Sequence, residues 1–511
     1  MRHYFAWAVS FALMSAPAHA EWLEARTDHF VLTINETPEK ARSFAERLER
    51  FDAALRQLYA VPDDPDQHVR PLVVYALNQK LFEATCRCST VLGYYKPYAK
   101  QSAIFSIYVP QIDKKAKDGW LSSQLVLLHE YSHHFTYSNF PIAYPKWFSE
   151  GFAEFNATAQ FDPDGAVEIG FPASYRTDAI RAGGITVSDM FDPDKAGIGF
   201  RDLDQFYGRS WLLTHYLMLN RGRRQGQLSR YLDLINHGQT GLYAAGLAFG
   251  DLKTLDDELY AYVRNGLAPK LRVAVASKPT TVTIRQLSPG EAALIPAQAL
   301  TQTGIPKYWN NRVGLEAQQI ARRYPTDAVV QSEVANIEFE TGRNEDALAA
   351  ADSALKLNPR MVDPMVTKGM LLLDALYKSG SKDHSAWQSA RAWFLNANHI
   401  DPNSVMPLYE YYLSFVLEGV QPTDGAVKAL MRAEVLAPES PQVRGLLARQ
   451  MLIGGNTASA RALLAPLAYA PHAAQGENMP LQLVQMIDAG KIAEAKQLVL
   501  TKEREEAAKA K

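Results

Sequence analysis

The sequence predicts an α+β fold, in which a small β-sheet and its helices are followed by an α-helical repeat region. Three observations predict it. Short apolar runs typical of strands are concentrated in about the first 110 residues. Apolar residues at helical spacing dominate from about residue 121 onward. Prolines that end helical segments then recur at intervals of 34 to 43 residues.

The 511 residues are enough for about three domains. We expect a leader at residues 1–20, a sheet-and-helix domain at 21–268, a connector at 269–305 and a helical repeat domain at 306–511. The connector is poor in helix signals and shows β-like alternation at residues 281–284. Three prolines lie within it: Pro279, Pro289 and Pro296.

Within the first domain, strand patterns cover residues 30–34, 72–75 and 104–109. Helical patterns cover residues 41–58, 121–139, 146–159, 203–219, 227–236 and 255–263. Pro38 opens the first of these helices, as proline commonly does. Pro141 and Pro145 separate the second helix from the third, and we expect them to reverse the chain so that these two helices face each other.

Composition excludes several classes of protein. Apolar residues make up 47% of the chain, which is enough to form packed cores and excludes disorder as the main state. Lys and Arg number 53 against 55 Asp and Glu, so the chain lacks the basic charge of a dedicated nucleic-acid binder. After the leader no apolar segment is long enough to span a membrane.

The first twenty residues are typical of a secretory signal peptide. Arg2 provides the positive start, residues 4–14 are apolar, and Ala18 and Ala20 provide the small residues of a cleavage site. An uncleaved membrane anchor is the alternative, but the apolar run is short for that role. We therefore expect cleavage after Ala20 and a periplasmic or secreted mature protein.

The chain has two cysteines, Cys86 and Cys88. A secreted disulfide scaffold has more, and a structural zinc site needs four ligands. We expect a local or labile disulfide without a function of its own.

The C-terminal part is repetitive. Prolines stand at positions 325, 359, 402 and 438, and alanines stand 12 and 5 residues before each of the last three. This pattern resembles tetratricopeptide repeats, in which small residues allow two helices to approach closely. The resemblance covers about 325–440, whereas 441–500 looks degenerate. An ordinary helical bundle is the alternative; the resemblance implies a platform that docks a protein or peptide.

His129 and His133 are four residues apart in the predicted helix 121–139. Both imidazoles therefore project from one helix face, where one tetrahedral ion can receive both nitrogens. His134 lies about 100° around the helix from His133, and we assign it to structure or solvent.

The segment from Trp147 to Glu154 completes a second motif, Trp-x-x-Glu-Gly-x-Ala-Glu. With His-Glu-x-x-His it resembles the gluzincin metallopeptidases, and among them the peptidase MA-like domain family. The resemblance implies one zinc ion held by His129, His133 and Glu150. It further implies that Glu130 is the general base that activates water, and that Glu154 accepts a hydrogen bond from a ligating histidine.

The family also implies a residue that stabilises the negative oxygen of the tetrahedral intermediate. Tyr207 is the candidate, because Tyr207 and Ser210 resemble a Tyr-x-x-Ser element of MA-like domains. His215 and Tyr216 are alternatives, and core packing is the common role of a helical tyrosine. In the zincin fold a strand borders the cleft and pairs with substrate, and the resemblance gives this place to residues 104–109.

Two functions remain open. The first is a zinc metallopeptidase acting on a peptide or protein substrate, with repeats that dock a partner. The second is a non-catalytic repeat scaffold of the cell envelope with a structural or vestigial metal site. A simple polar face on two helices, or an inactive family member, would also fit the motif. The intact Glu130, which hydrolysis requires and metal binding does not, argues against inactivity.

Overall fold

The computed structural model describes residues 22–63, 70–86, 91–108, 122–182, 184–219, 222, 224–266, 270–275, 280–469 and 478–509. The predicted leader at residues 1–20 lies outside these ranges, and so does Cys88. Cys86 takes part in a disulfide. None of the described helices combines the length and the apolarity needed to cross a bilayer.

A six-stranded mixed sheet forms the base of the first domain. Its strands are β1 (Trp22–Arg26), β2 (Phe30–Asn35), β3 (Leu72–Leu77), β4 (Gly93–Lys96), β5 (Ala103–Ile107) and β9 (Thr283–Gln286), in the order β4-β5-β3-β2-β1-β9. Strands β2, β3 and β5 are parallel, whereas β4 runs antiparallel to β5 at one edge. A second sheet contains β6 (Gln160–Phe161), β7 (Val167–Ile169) and β8 (Leu271–Val273).

Helices of the first domain pack on these sheets. Those in the described ranges are α1 (Pro38–Tyr59), α2 (Gln79–Cys86), α3 (Ser123–Asn139), α4 (Lys146–Ala157), α5 (Thr177–Ala182), α6 (Val187–Phe191), α7 (Leu203–Leu219), α8 (Gln227–Asn236), α9 (Gly241–Phe249) and α10 (Leu252–Arg264). The predicted small sheet and helices are confirmed. Short elements such as β1 and β4 were missed, because four or five residues carry little periodicity.

The segment 269–305, which we expected to be a connector poor in helices, contains the two short strands β8 and β9 and a helix. Strand β9 pairs with β1, and helix α11 (Pro289–Thr303) follows it. Ser288 and Glu291 form a capping box at the start of α11, with Pro289 in its first turn. Leu294, Ile295 and Ala299 are buried, so this segment packs as part of the fold.

Helical hairpins occupy the rest of the chain. After α12 (Asn310–Arg323) the described residues form these pairs: α13 (Ala328–Glu340) with α14 (Asn344–Leu357), α15 (Val362–Ser379) with α16 (His384–Ile400), α17 (Val405–Glu418) with α18 (Asp424–Leu436), α19 (Pro441–Ile453) with α20 (Thr457–Ala468), and α21 (Met479–Asp488) with α22 (Ile492–Lys509). The alanines of the repeat pattern, such as Ala347, Ala390 and Ala426, are fully buried. The region after residue 440, which we expected to be degenerate, continues the hairpins because its own alanines and leucines form an apolar cluster.

The hairpins contact the first domain through specific bonds. Ser102 Oγ donates to Glu439 Oε1 at 2.7 Å, and Lys100 Nζ donates to Asn336 Oδ1 at 2.8 Å. At a distant point, Arg461 Nη1 donates to the Asn236 carbonyl at 2.8 Å. The first two contacts join the repeats to the segment just before β5, and the third joins them to the end of α8.

Glu410 in α17 gives the repeats a pH-dependent stability. Its side chain is buried, and burial raises its pKa to about 8. Because the folded state holds this proton more tightly than the unfolded chain, stability falls as the pH rises from about 4.5 to about 8. We expect Glu410→Gln to raise the melting temperature by about 2–4 °C at pH 8 and by much less at pH 5, as followed by circular dichroism. Glu345 is exposed, and Glu345→Gln is the control. Equal shifts of the melting temperature at both pH values, or the same pH-dependent shift in the control, would contradict this.

Candidate metal centre

Helix α3 is fixed by the side that faces the sheet. Ser122 caps its start by accepting a hydrogen bond from the Leu125 amide at 3.0 Å. Leu128 and Phe135 are fully buried in the apolar core that the helix shares with β2 and β3. The other side faces a cleft and carries the three motif residues His129, Glu130 and His133.

Helix α4 begins after Pro145 and is buried from Trp147 to Ala157. Gly151 is required at its centre, because an added Cβ would lie 2.3 Å from the Ser210 carbonyl oxygen and from Thr214 Oγ1. The close contact with α7 therefore fixes the position of α4 in the core. This packing leaves Glu150 buried at 1% exposure while its carboxylate faces the histidines of α3.

The two helices bring three ligand atoms together. Glu150 Oε2 lies 3.4 Å from His129 Nε2 and 3.7 Å from His133 Nε2. All three donor atoms lie within 4.8 Å of one another. Tetrahedral ligands placed about 2.1 Å from one zinc ion are about 3.4 Å apart, so the spacing of these residues fits a single ion.

The Nδ1 atoms of the two histidines have different neighbours. Ser149 Oγ lies 3.3 Å from His133 Nδ1, a contact that the sequence analysis missed. Glu154 Oε1 lies 3.7 Å from His129 Nδ1, which is too long for the hydrogen bond that we expected. The Glu154 carboxylate instead accepts hydrogen bonds from Tyr175 and, at 2.7 Å, from Arg176 Nη2. Glu154 thus supports the site mainly as a nearby negative charge.

The site favours positive charge. Burial lowers the pKa of His129, but the hydrogen bond to Glu150 and the charges of Glu130 and Glu154 outweigh it and raise the pKa to about 9. The carboxylates therefore stabilise a cation in this buried place, and a metal ion would displace a proton from His129 on binding.

Tyr207 reaches this site from α7. Its ring centroid lies 6.4 Å from that of His129, and it lines the same cleft. Burial, followed by the charges of Glu150 and Glu130, raises the pKa of Tyr207 well above its ordinary value. The hydroxyl is therefore protonated at neutral pH and available as a hydrogen-bond donor.

The alternatives to Tyr207 lie in structural contacts. His215 is fully buried between the Gly170 carbonyl and the Tyr262 hydroxyl, each 3.0 Å from a ring nitrogen. Tyr216 donates to Glu258 Oε2 at 2.8 Å. Neither lines the cleft.

His134 is a structural residue, as its position around the helix indicated. Its Nδ1 lies 3.0 Å from the hydroxyl of Tyr95 in β4. Burial lowers the pKa of His134 to about 4, so its imidazole is neutral and links α3 to the edge strand.

Arg176 is the main residue beside the candidate site that the sequence analysis did not single out. It follows Tyr175 in a short 3-10 helix, Ser174–Arg176, and it contacts Glu154 and Asp204. Its guanidinium carbon lies 5.3 Å from the centroid of the Tyr207 ring, a cation–π contact. No motif marks this arginine, because its partners come from distant helices.

A cleft of about 1120 Å³ opens above the candidate metal ligands His129, His133 and Glu150. Strand β4 lines it, whereas residues 104–108, the described part of the predicted strand 104–109, do not, because β4 covers β5 at the edge of the sheet. Gly93 in β4 lies directly against α3: an added Cβ would be 2.4 Å from Val126 Cγ1 and 3.4 Å from Glu130 Cγ.

His29, Glu49 and Asp52 form another group whose side chains could hold an ion. Here, however, Arg56 Nε lies 2.7 Å from Asp52 Oδ2, and Tyr131 donates to Asp52 as well. A guanidinium therefore already supplies the positive charge. We interpret this group as an ion-pair network that braces α3 through Tyr131.

No family model and no curated protein matches the chain. One similar solved structure is a thermophilic TPR protein of Thermus thermophilus, with 20% identity and a TM-score of 0.28, covering 36% of this chain and 90% of that one. The description of the repeat region as helical hairpins rests on its own structure.

Proposed function

We propose that this chain is a zinc-dependent metallopeptidase with a zincin-like domain of the gluzincin type. The observation that supports it is the convergence of His129 Nε2, His133 Nε2 and Glu150 Oε2 at the floor of a cleft. Two imidazoles and a carboxylate form a ligand set of catalytic zinc sites, which retain a position for water or substrate. This group of mutually close donors has three members among the described residues.

Each residue of the proposed site then has a distinct role. Zinc bound there would supply a Lewis acid that polarises water and the substrate carbonyl. Glu130, which follows the first ligand and lines the cleft, accepts a proton from the attacking water and returns it to the leaving amine. Tyr207 donates a hydrogen bond to the oxygen on which negative charge develops. Arg176 packs on the ring of Tyr207, and Glu154 holds Arg176 while its negative charge acts on His129 from 3.7 Å.

We also propose that the protein works in the periplasm or outside the cell, on a peptide or protein substrate. The signal-peptide pattern at residues 1–20 supports this location. The disulfide at Cys86 agrees with it, because such bonds persist in oxidising compartments.

A second candidate is a non-catalytic interaction protein of the envelope. The repeats favour it, because they expose large apolar side chains that could contact a partner: Leu372, Leu395, Met431 and Val435. In this case any metal would be structural or vestigial.

Metal removal and return test the proposed function. We expect the purified mature protein to cleave β-casein, to lose this activity with the chelator 1,10-phenanthroline, and to regain it with one equivalent of zinc. Activity that persists in the chelator, with zinc shown to be absent by mass spectrometry, would contradict the proposal. Stable zinc binding without any cleavage would favour the scaffold.

A further inference from the structure

The far wall of the cleft comes from the helical repeats. Residues at the starts and ends of α19, α20 and α21 line it together with β4 and α3: Pro438, Pro441, Gly445, Pro466, Leu467 and Pro480. The metal-binding residues thus lie between the sheet domain and the repeats, and not on an open surface.

Direct contacts hold this wall in position. Glu439, next to Pro438, accepts the hydrogen bond of Ser102 beside β5. Ala99 packs into the apolar cluster of α17 to α19, and Ala465 of α20 belongs to the apolar core of the first domain. The wall is therefore continuous with the core that supports the site.

The two walls differ in chemistry. The repeat wall contributes four prolines, which have no amide hydrogen to donate, a leucine and a glycine. Its carboxylate, Glu439, already accepts the hydrogen bond of Ser102. Its arginine, Arg444, is already used, since Nε donates to the Pro438 carbonyl at 3.0 Å. The opposite wall is β4, whose one strand neighbour among the described residues is β5. Its outer edge can therefore pair with a further extended chain.

We propose that the repeats form one side of the substrate groove, and that the groove takes an extended, apolar segment of an unfolded polypeptide. The backbone of such a segment forms hydrogen bonds with β4, while its apolar side chains pack on the repeat wall. A volume of about 1120 Å³ suits a chain segment and is too small for a folded domain. That the segment is cut rests on the proposed function; that it is bound does not.

Gly445 offers a direct test, because a Cβ there would meet only Leu467 Cδ1, at an ordinary 3.9 Å. We expect Gly445→Trp to fill the groove and to weaken binding of fluorescein-labelled β-casein about tenfold, measured by anisotropy. Binding is measured in full-length Glu130→Gln protein, so that no cleavage occurs. The control is Gly246→Trp in α9, where a Cβ has open space.

A second pair of variants guards against misfolding. Leu467→Asp places a charge on the apolar wall, and Leu242→Asp places one on an exposed surface of α9. We expect the first to weaken β-casein binding and the second to leave it unchanged, with all variants equally folded by circular dichroism. Parental affinity in both Gly445→Trp and Leu467→Asp would overturn the inference, even if the parental protein is an active peptidase. If these variants weaken binding but the protein with Glu130 intact cleaves nothing, the groove is upheld and the peptidase is rejected.

Discussion

Glu130→Gln is expected to lower peptide hydrolysis by about 10²–10⁴-fold while zinc affinity changes little. Glutamine keeps the size of the side chain but cannot accept a proton at neutral pH. Glu130 lies outside the triad of mutually close donors, so the ligands remain intact. Initial rates of β-casein cleavage and zinc titration by calorimetry would measure the two effects separately.

The matched control is Glu83→Gln in α2, a partly buried glutamate outside the cleft. It should retain the parental rate. If Glu130→Gln cleaves at the parental rate, Glu130 is not the base and the assigned mechanism is wrong.

Gly151→Ala is expected to destabilise the first domain by about 1–3 kcal/mol or more and to weaken zinc binding. The new methyl group would clash with the Ser210 carbonyl and Thr214 of α7, at 2.3 Å from each. To relieve the clash α4 must move away from α7, which displaces the Glu150 carboxylate from the histidines. Guanidinium unfolding and zinc titration would report both losses.

Gly246→Ala provides the contrast, because this helical glycine has open space around its Cβ position. It should stabilise the protein by about 0.4–1 kcal/mol, through loss of backbone freedom in the unfolded chain. Similar stability changes in the two variants would show that the α4–α7 contact does not position the site.

The closeness of His129 and His133 could be predicted because it depends on local geometry, whereas Glu150 was placed beside them by the family resemblance. His129 and His133 share a helix face at any tertiary arrangement, and two prolines turn the next helix back toward them. Ser149 and Arg176 could not be predicted in the same way. Their contacts depend on helix depth and on a loop conformation that no periodic pattern encodes.

In the sheet, too, local features could be predicted and contacts between distant segments could not. The predicted strands at residues 30–34 and 72–75 lie within β2 and β3. They could be recognised because buried strands have nearly continuous apolar runs. The order of the strands depends on pairing between distant segments, and β4 at the edge is too short and too polar to be recognised. For this reason the family resemblance gave the cleft border to residues 104–109, where a strand pattern was visible.

Crystallography of the zinc-loaded protein, with anomalous data at the zinc edge, tests the central claim most directly. One anomalous peak is expected within bonding distance of His129 Nε2, His133 Nε2 and a Glu150 oxygen, with no fourth protein ligand. A peak bound by four protein side chains would make the site structural. Absence of zinc from these three residues would contradict the account altogether.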